Sequence, residues 1–173
     1  MQNGHDVNSA WIQATLAQFE GPLTRYALRI TRDLEAARDV VQETFLRLCR
    51  EEPASRDGHL AEWLYTVCRN KALDVRRKEQ RMTTLTANAL DTCASTASTP
   101  VDSATVHDSA HQALRLVGQL PENQQEVIRL KFQEGLSYRE ISAITGLSES
   151  HVGVLIHLGI KSLRNQLRDK PAP

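Results

Sequence analysis

SYREISAITGLSESHVGVLIHLGIKSLR, Ser137 to Arg164, is the stretch that decides how the chain is read. Ser137 followed three residues on by Glu140 is a capping-box pattern: the hydroxyl accepts one free backbone N–H and the carboxylate reaches back for another. Ile141 and Ile144 supply an apolar inner face. Gly146 falls where a helix ends in a left-handed turn, which costs a residue with a Cβ about 1 kcal/mol or more. Leu147 plugs the turn. Ser148 caps a second helix whose Val152, Ile156, Ile160, Leu163 and Leu167 recur at steps of three and four. Two short helices around a glycine turn make a helix-turn-helix, which can offer its second helix to a DNA major groove. A hairpin that only packs is the alternative.

Working outward, no apolar run approaches the roughly 20 residues a membrane span needs. The N-terminal MQNGHDVNSAWIQ has neither the basic region nor the apolar core of a signal peptide. Cys49, Cys68 and Cys93 are odd in number and lack metal-type spacing, which suits a reducing cytoplasm and bystander thiols. His107 and His111 stand at a helical metal-pair spacing, but no further ligand accompanies them, so no metal is expected. No phosphate loop, carboxylate pair or nucleophile elbow stands out, so neither an enzyme nor a cofactor is expected.

Twenty-one basic residues balance twenty-one acidic ones, which argues against indiscriminate nucleic-acid binding. Their distribution is uneven. Arg69, Lys71, Arg76, Arg77, Lys78 and Arg81 cluster against only Asp74 and Glu79, and Lys161, Arg164, Arg168 and Lys170 form a second group. Local basic patches on a neutral chain suit a site-restricted partner.

Helical periodicity dominates, so the fold class is all-α, with two small helical domains joined by a flexible linker. A first helix is expected from Asn8 to Phe19. Gly21-Pro22 breaks it and starts a second to about Ile30. Asp33 caps a third, with Ala37, Val41, Thr44 or Phe45, and Leu48 along its inner face. A fourth runs from about Leu60 to Gln80 with Trp63, Leu64, Val67, Ala72 and Val75, which completes a small bundle over residues 1–82. Residues 83–108 are rich in Thr, Ser and Ala and cannot bury enough surface to offset chain entropy, so they read as the linker. Residues 109–173 form the second domain: a helix from Ser109 to Gln119, one with Pro121 in its first turn to about Phe132, then the helix-turn-helix. The chain's end soon after the last helix leaves no appended regulatory domain expected.

Taken in order, ARDVVQETFLRLCR (Ala37 to Arg50), WLYTVCRNKALDVRR (Trp63 to Arg77) and LPENQQEVIRLKFQEGLSYREIS (Leu120 to Ser142) resemble the extracytoplasmic-function sigma factors of the sigma-70 superfamily. The resemblance implies a promoter-specificity subunit with core RNA polymerase and promoter DNA as partners. It also implies an anti-sigma protein as an inhibitor and no cofactor or membrane insertion. The first segment is similar to that family's polymerase-docking helix, placing Asp39, Gln42, Glu43 and Arg47 at the docking face. Independently, these four share a helix face by the three- and four-residue rule. They form an acidic, amide-bearing surface suited to a basic and polar helical partner, or else a solvated face with weak internal pairs.

The second segment is similar to the strand-opening, −10-reading helix. Asn70 aligns with a position that holds a base turned out of the duplex, and its amide donates and accepts at once. Arg69, Lys71, Arg76, Arg77 and Lys78 neutralise phosphates on this reading; the alternative is a solvated basic face. Trp63 and Tyr65 either stack on bases or fill core. The third segment and the helix after it are similar to the −35-binding domain, with Ser148, Glu149, Ser150, His151, His157, Lys161 and Arg164 as candidates. Relatives usually carry a basic or hydroxyl triplet where this chain has Gly153, Val154 and Leu155. Those positions imply weaker anchoring, an unusually apolar groove contact, or a protein-facing surface. A stand-alone helix-turn-helix regulator and a sigma-derived adaptor that has lost promoter reading are the rival functions.

Overall fold

A computed structural model describes residues 3–50, 58–87 and 107–168. Among them are seven helices and no strand: α1 (Asn3–Thr31), α2 (Leu34–Arg50), α3 (Leu60–Ala87), α4 (His107–Val117), α5 (Glu122–Phe132), α6 (Tyr138–Thr145) and α7 (Glu149–Arg168). They fall into two compact units, within Met1–Ala97 and Ser98–Pro173.

In the first unit α1 packs against both α2 and α3. The break expected at Gly21-Pro22 does not occur: α1 runs through Pro22 without interruption. Proline removes the N–H that would bond the Gln18 carbonyl, a defect of about 3 kcal/mol in a helix interior. Thr15, Leu23, Tyr26 and Ala27, on both sides of it, are buried, and Gln18 is exposed to water. Packing of one continuous inner face therefore carries the helix across the defect. Among the described residues the unit holds three helices where four were expected.

α1 ends at Arg32, which takes a left-handed φ of 61° and donates its N–H to the Leu28 carbonyl at 2.8 Å. Asp33 caps α2 as expected, its Oδ1 accepting from the Ala36 N–H at 2.7 Å. Ala37, Val40, Val41, Thr44, Phe45 and Leu48 form the buried face of α2. From α3, Leu64, Tyr65, Cys68 and Ala72 fill the same core. Tyr65 is fully enclosed and meets Tyr26 edge to face at 5.3 Å, so base stacking is not open to it; Trp63 is half-buried. Burial pushes the Cys68 thiol up to about 12, with a Thr44 hydrogen bond opposing the shift. A thiol held that far from ionisation is unreactive filling. α3 continues to Ala87, so residues 83–87 belong to the helix rather than to a linker. Cys93 lies outside the described residues.

In the second unit α7 packs against α4, α5 and α6. α4 starts two residues before the expected Ser109, and Pro121 stands at the N-cap of α5, just outside its first turn. The Gln125 amide donates to the Gly118 and Leu120 carbonyls at 3.0 and 2.7 Å, closing the α4–α5 turn. Val117, Leu120 and Ile128 form a buried cluster that Leu163 joins from α7. Gly159 is buried at the α5–α7 contact: a Cβ there would stand 2.3 Å from Ile128 Cδ1. The residue costs α7 about 1 kcal/mol of intrinsic stability, and in return the two helices approach closely.

Candidate functional site

The helix-turn-helix forms as its local chemistry dictates. Ser137 Oγ accepts from the Glu140 N–H at 3.2 Å, and the Ser137 N–H donates to Glu140 Oε2 at 2.7 Å. Ile141 and Ile144 face the core, and Gly146 closes α6 at φ 74°. The Ser142 hydroxyl donates to the Leu147 carbonyl at 2.6 Å across the turn, and Ser148 Oγ caps α7 by accepting from the His151 N–H at 3.2 Å. Val152, Leu155, Ile156 and Gly159 make the buried line of α7. Of the three positions where relatives carry their basic or hydroxyl triplet, Leu155 is therefore core. Gly153 is half-buried beside the Tyr138 ring, and only Val154 faces out, 53% exposed. Ser148, Glu149, Ser150, His151, His157, Lys161 and Arg164 are all exposed. Farther along, Ile160, Lys161, Arg164, Leu167 and Arg168 line a shallow open groove of about 400 Å³.

On α2, Asp39, Gln42, Glu43 and Arg47 are exposed opposite the buried face. Leu46, 45% exposed, sits three residues after Glu43 and four after Gln42, which places it inside the same surface. Sequence reasoning passed over it because its polar neighbours defined the face, although the helical period already put it there. An apolar centre within a polar rim is the usual anatomy of a protein-binding patch.

On α3 the six candidates do not share one face. Asn70 and Arg77 lie two turns apart on the exposed line, with Asp74 between them and bonded to Arg77 at 3.1 Å. Lys71 and Lys78 are exposed along one flank. Arg69 and Arg76 are half-buried on the other, and Arg76 lines an open cleft of about 580 Å³ shared with Ile30, Arg32 and Gln80. Arg81, four residues past Arg77, extends the exposed line and was missing from the candidates. A carboxylate bonded into that line reduces its net positive charge, which leaves the flanks more basic than the line between them.

Among the described residues no group of three or more metal-ligating side chains comes together; the His107 and His111 side chains lie outside them. No single helix among them is long and apolar enough to cross a membrane.

Comparison with known proteins places these surfaces in context. Residues 16–82 match the family model for sigma-70 region 2, and residues 110–163 match that for sigma-70 region 4. The chain is 31% identical to the ECF RNA polymerase sigma factor SigL of Mycobacterium tuberculosis over 93% of its own length and 91% of SigL's. It is 29% identical to a probable RNA polymerase sigma factor, RfaY of Xanthomonas campestris pv. campestris, over 86% of its length, and spans 38% of that longer protein. Among solved structures it is similar in fold to the sigma factor RpoE of Bartonella quintana, crystallised with the anti-sigma factor NepR. The TM-score is 0.66 at 21% identity, covering 92% of this chain and 98% of that one. CnrH bound to the cytosolic domain of CnrY is similar at a TM-score of 0.56, covering 92% of this chain and 89% of that one. A region 2 match, a region 4 match and 31% identity to SigL along nearly the whole of both chains agree with the helices described above: the chain belongs to the extracytoplasmic-function sigma factors of the sigma-70 family.

Proposed function

We propose that this sigma factor brings core RNA polymerase to its promoters through three separate helix faces. Asp39, Gln42, Glu43 and Arg47 on α2, with Leu46 at their centre, dock on core polymerase. Asn70 holds a base of the opened −10 strand while Arg69, Lys71, Arg76, Arg77 and Lys78 neutralise its phosphates. The exposed face of α7, from Ser148 to Arg164, reads the duplex −35 element. The polymerase performs the chemistry in the cytoplasm, and this chain supplies recognition and strand separation with no cofactor of its own. Two weak DNA readers on one chain gain affinity through effective concentration. The segment between them sets the spacing they accept. RpoE of Bartonella quintana was crystallised with an anti-sigma factor, and a protein inhibitor that covers these faces is the natural off-switch for this chain.

The observation that supports this reading best is the exposure of Asp39, Gln42 and Glu43 on a helix whose other side is wholly core, in a chain that matches sigma-70 region 2 and then region 4. Reconstitution with core enzyme, followed by sequencing of the transcripts made, tests it. Discrete start sites are expected. A stand-alone regulator would instead bind duplex tightly without polymerase, and an adaptor would initiate nothing. Reversing the charge of Asp39 and Glu43 should weaken core association before anything else. Asn70→Ala should slow promoter opening and leave core association intact.

A further inference from the structure

Of the large apolar residues exposed on α7, Val154, Leu158 and Leu167, only the valine is also a poor helix former. A helix turns by roughly 100° per residue. With Val152, Leu155, Ile156 and Gly159 on the buried side, Ser150, Val154 and Lys161 fall along the middle of the opposite side. His151 and Leu158 border that line on one flank, His157 and Arg164 on the other. Val154 is more than half exposed. A β-branched residue is a poor helix former, and an apolar side chain in water gains nothing by its exposure. Alanine, glutamate or lysine would all serve the helix better at this position. Neither core packing nor solubility accounts for valine, which leaves contact with something outside the chain.

The neighbours indicate what that is. The N-terminal turns of the second helix are the part a helix-turn-helix sets against base edges. In this chain they expose Glu149, Ser150, His151, Val154 and His157, with no Arg, Lys, Asn or Gln among them. The bidentate contacts that select guanine or adenine are therefore absent from the centre of the face. Lys161, Arg164 and Arg168 follow on the exposed side of the same helix, and their charge fits a phosphate backbone running beyond the base contacts. A short branched apolar group, with hydroxyl and imidazole neighbours and Leu158 one turn on, can recognise one feature of a major groove, the C5-methyl of thymine.

We propose that Val154 is a specificity-determining residue that selects a thymine in the upstream duplex element by methyl–methyl contact. This rests on the assignment of α7 as the −35 reader. The test uses the full chain with core polymerase on a promoter identified by transcript sequencing. Each thymine of the upstream element is replaced singly by deoxyuridine, which lacks only the methyl group. One position should show about a fourfold loss in promoter affinity, the value of one buried methyl. Val154→Ala should lower binding of the thymine promoter to that level and become indifferent to the replacement. Because the position is exposed and alanine is the better helix former, this variant keeps its fold.

A wild-type holoenzyme that transcribes the promoter and is indifferent to deoxyuridine at every position overturns the proposal and leaves the −35 assignment standing. So does a Val154→Ala variant that keeps the fourfold penalty. If Val154→Ala leaves promoter affinity unchanged and weakens only a protein inhibitor's hold, the face belongs to a protein and the proposal falls. Failure of the holoenzyme to initiate at any defined site removes the −35 assignment and this inference with it.

Discussion

Placing a methyl group at position 159 tests how α7 is seated. In Gly159→Ala the new Cβ would lie 2.3 Å from Ile128 Cδ1, against an optimum of roughly 3.5–4.0 Å for two carbons. Ile128 is 5% exposed, so its terminal methyl has little room to swing away. Overpacking of this kind costs about 1–3 kcal/mol, and about 1 kcal/mol returns from the better helix former. The net expectation is a loss of about 1 kcal/mol. Ile128→Val removes the obstructing Cδ1 and alone costs about 0.5–1.5 kcal/mol. Combined, the alanine methyl occupies the vacated space, and its remaining neighbours, Ile128 Cγ1 and Leu120 Cδ1, stand at an ordinary 3.5 Å. The double variant should match the parent, which makes the coupling about 2 kcal/mol, well above the ~0.5 kcal/mol scatter of independent sites. Amide hydrogen exchange in α5 and α7 reads the effect locally. Both tryptophans, Trp11 and Trp63, belong to the other unit, so a tryptophan-monitored midpoint serves as the internal control. Additive losses would refute the reasoning, since the Ile128 methyl would then not be what requires glycine.

At Gly153 the opposite outcome is expected: an added Cβ meets Tyr138 Cε2 at an ordinary 3.6 Å, so Gly153→Ala should stabilise the unit by up to about 1 kcal/mol in the same exchange measurement. Ser137→Ala removes the acceptor for the Glu140 N–H and should cost about 1 kcal/mol, seen as faster exchange in α6. Cys68 is neutral in the folded state up to about pH 12 but ionises near 9 when unfolded, so the unfolded chain binds fewer protons between those values. Stability of the first unit should fall across that window by up to about 1.4 kcal/mol per pH unit. Cys68→Ala, whatever its fixed packing cost, should lose that part of the slope when midpoints at pH 8 and 10 are compared.

Local chemistry was legible and tertiary choice was not. The Ser137 box, the Gly146 turn and the Asp33 and Ser148 caps each depend on residues within four positions of one another, so sequence alone specified them. Pro22 misled because its local cost is real, and only burial of Leu23, Tyr26 and Ala27 against other helices outweighs it. Arg32 closes α1 in a left-handed conformation that an arginine does not advertise. Among the site residues, exposure on α2 followed from the helical period, and so did the place of Leu46, hidden only by attention to charge. Leu155 and Val154 differ by a single step of about 100°, and which of them faces outward depends on where α5 and α6 meet α7. The spread of the α3 basic residues over two flanks has the same origin.

The seat of α7 and its reading face are two sides of one helix, so disturbance of one should reach the other. Close-packed interiors yield little locally and pass strain on as movement of whole elements. If Ile128 does not give way, a methyl at 159 displaces α7 from α5 by about an ångström, the shortfall between 2.3 Å and an ordinary contact. The outward line of Ser150, Val154 and Lys161 moves with it. Direct readout depends on groups placed to within fractions of an ångström, and misplacement on this scale is costly in recognition as in catalysis. Gly159→Ala should therefore lower initiation from promoters that carry the upstream duplex element, even at temperatures where the variant is fully folded. Ile128→Val in the same chain should restore it. Templates lacking that element provide the control, because α7 contributes nothing to their recognition. An equal fall on both templates would mean that a seating change at 159 acts on stability or polymerase association and not on the aim of the helix.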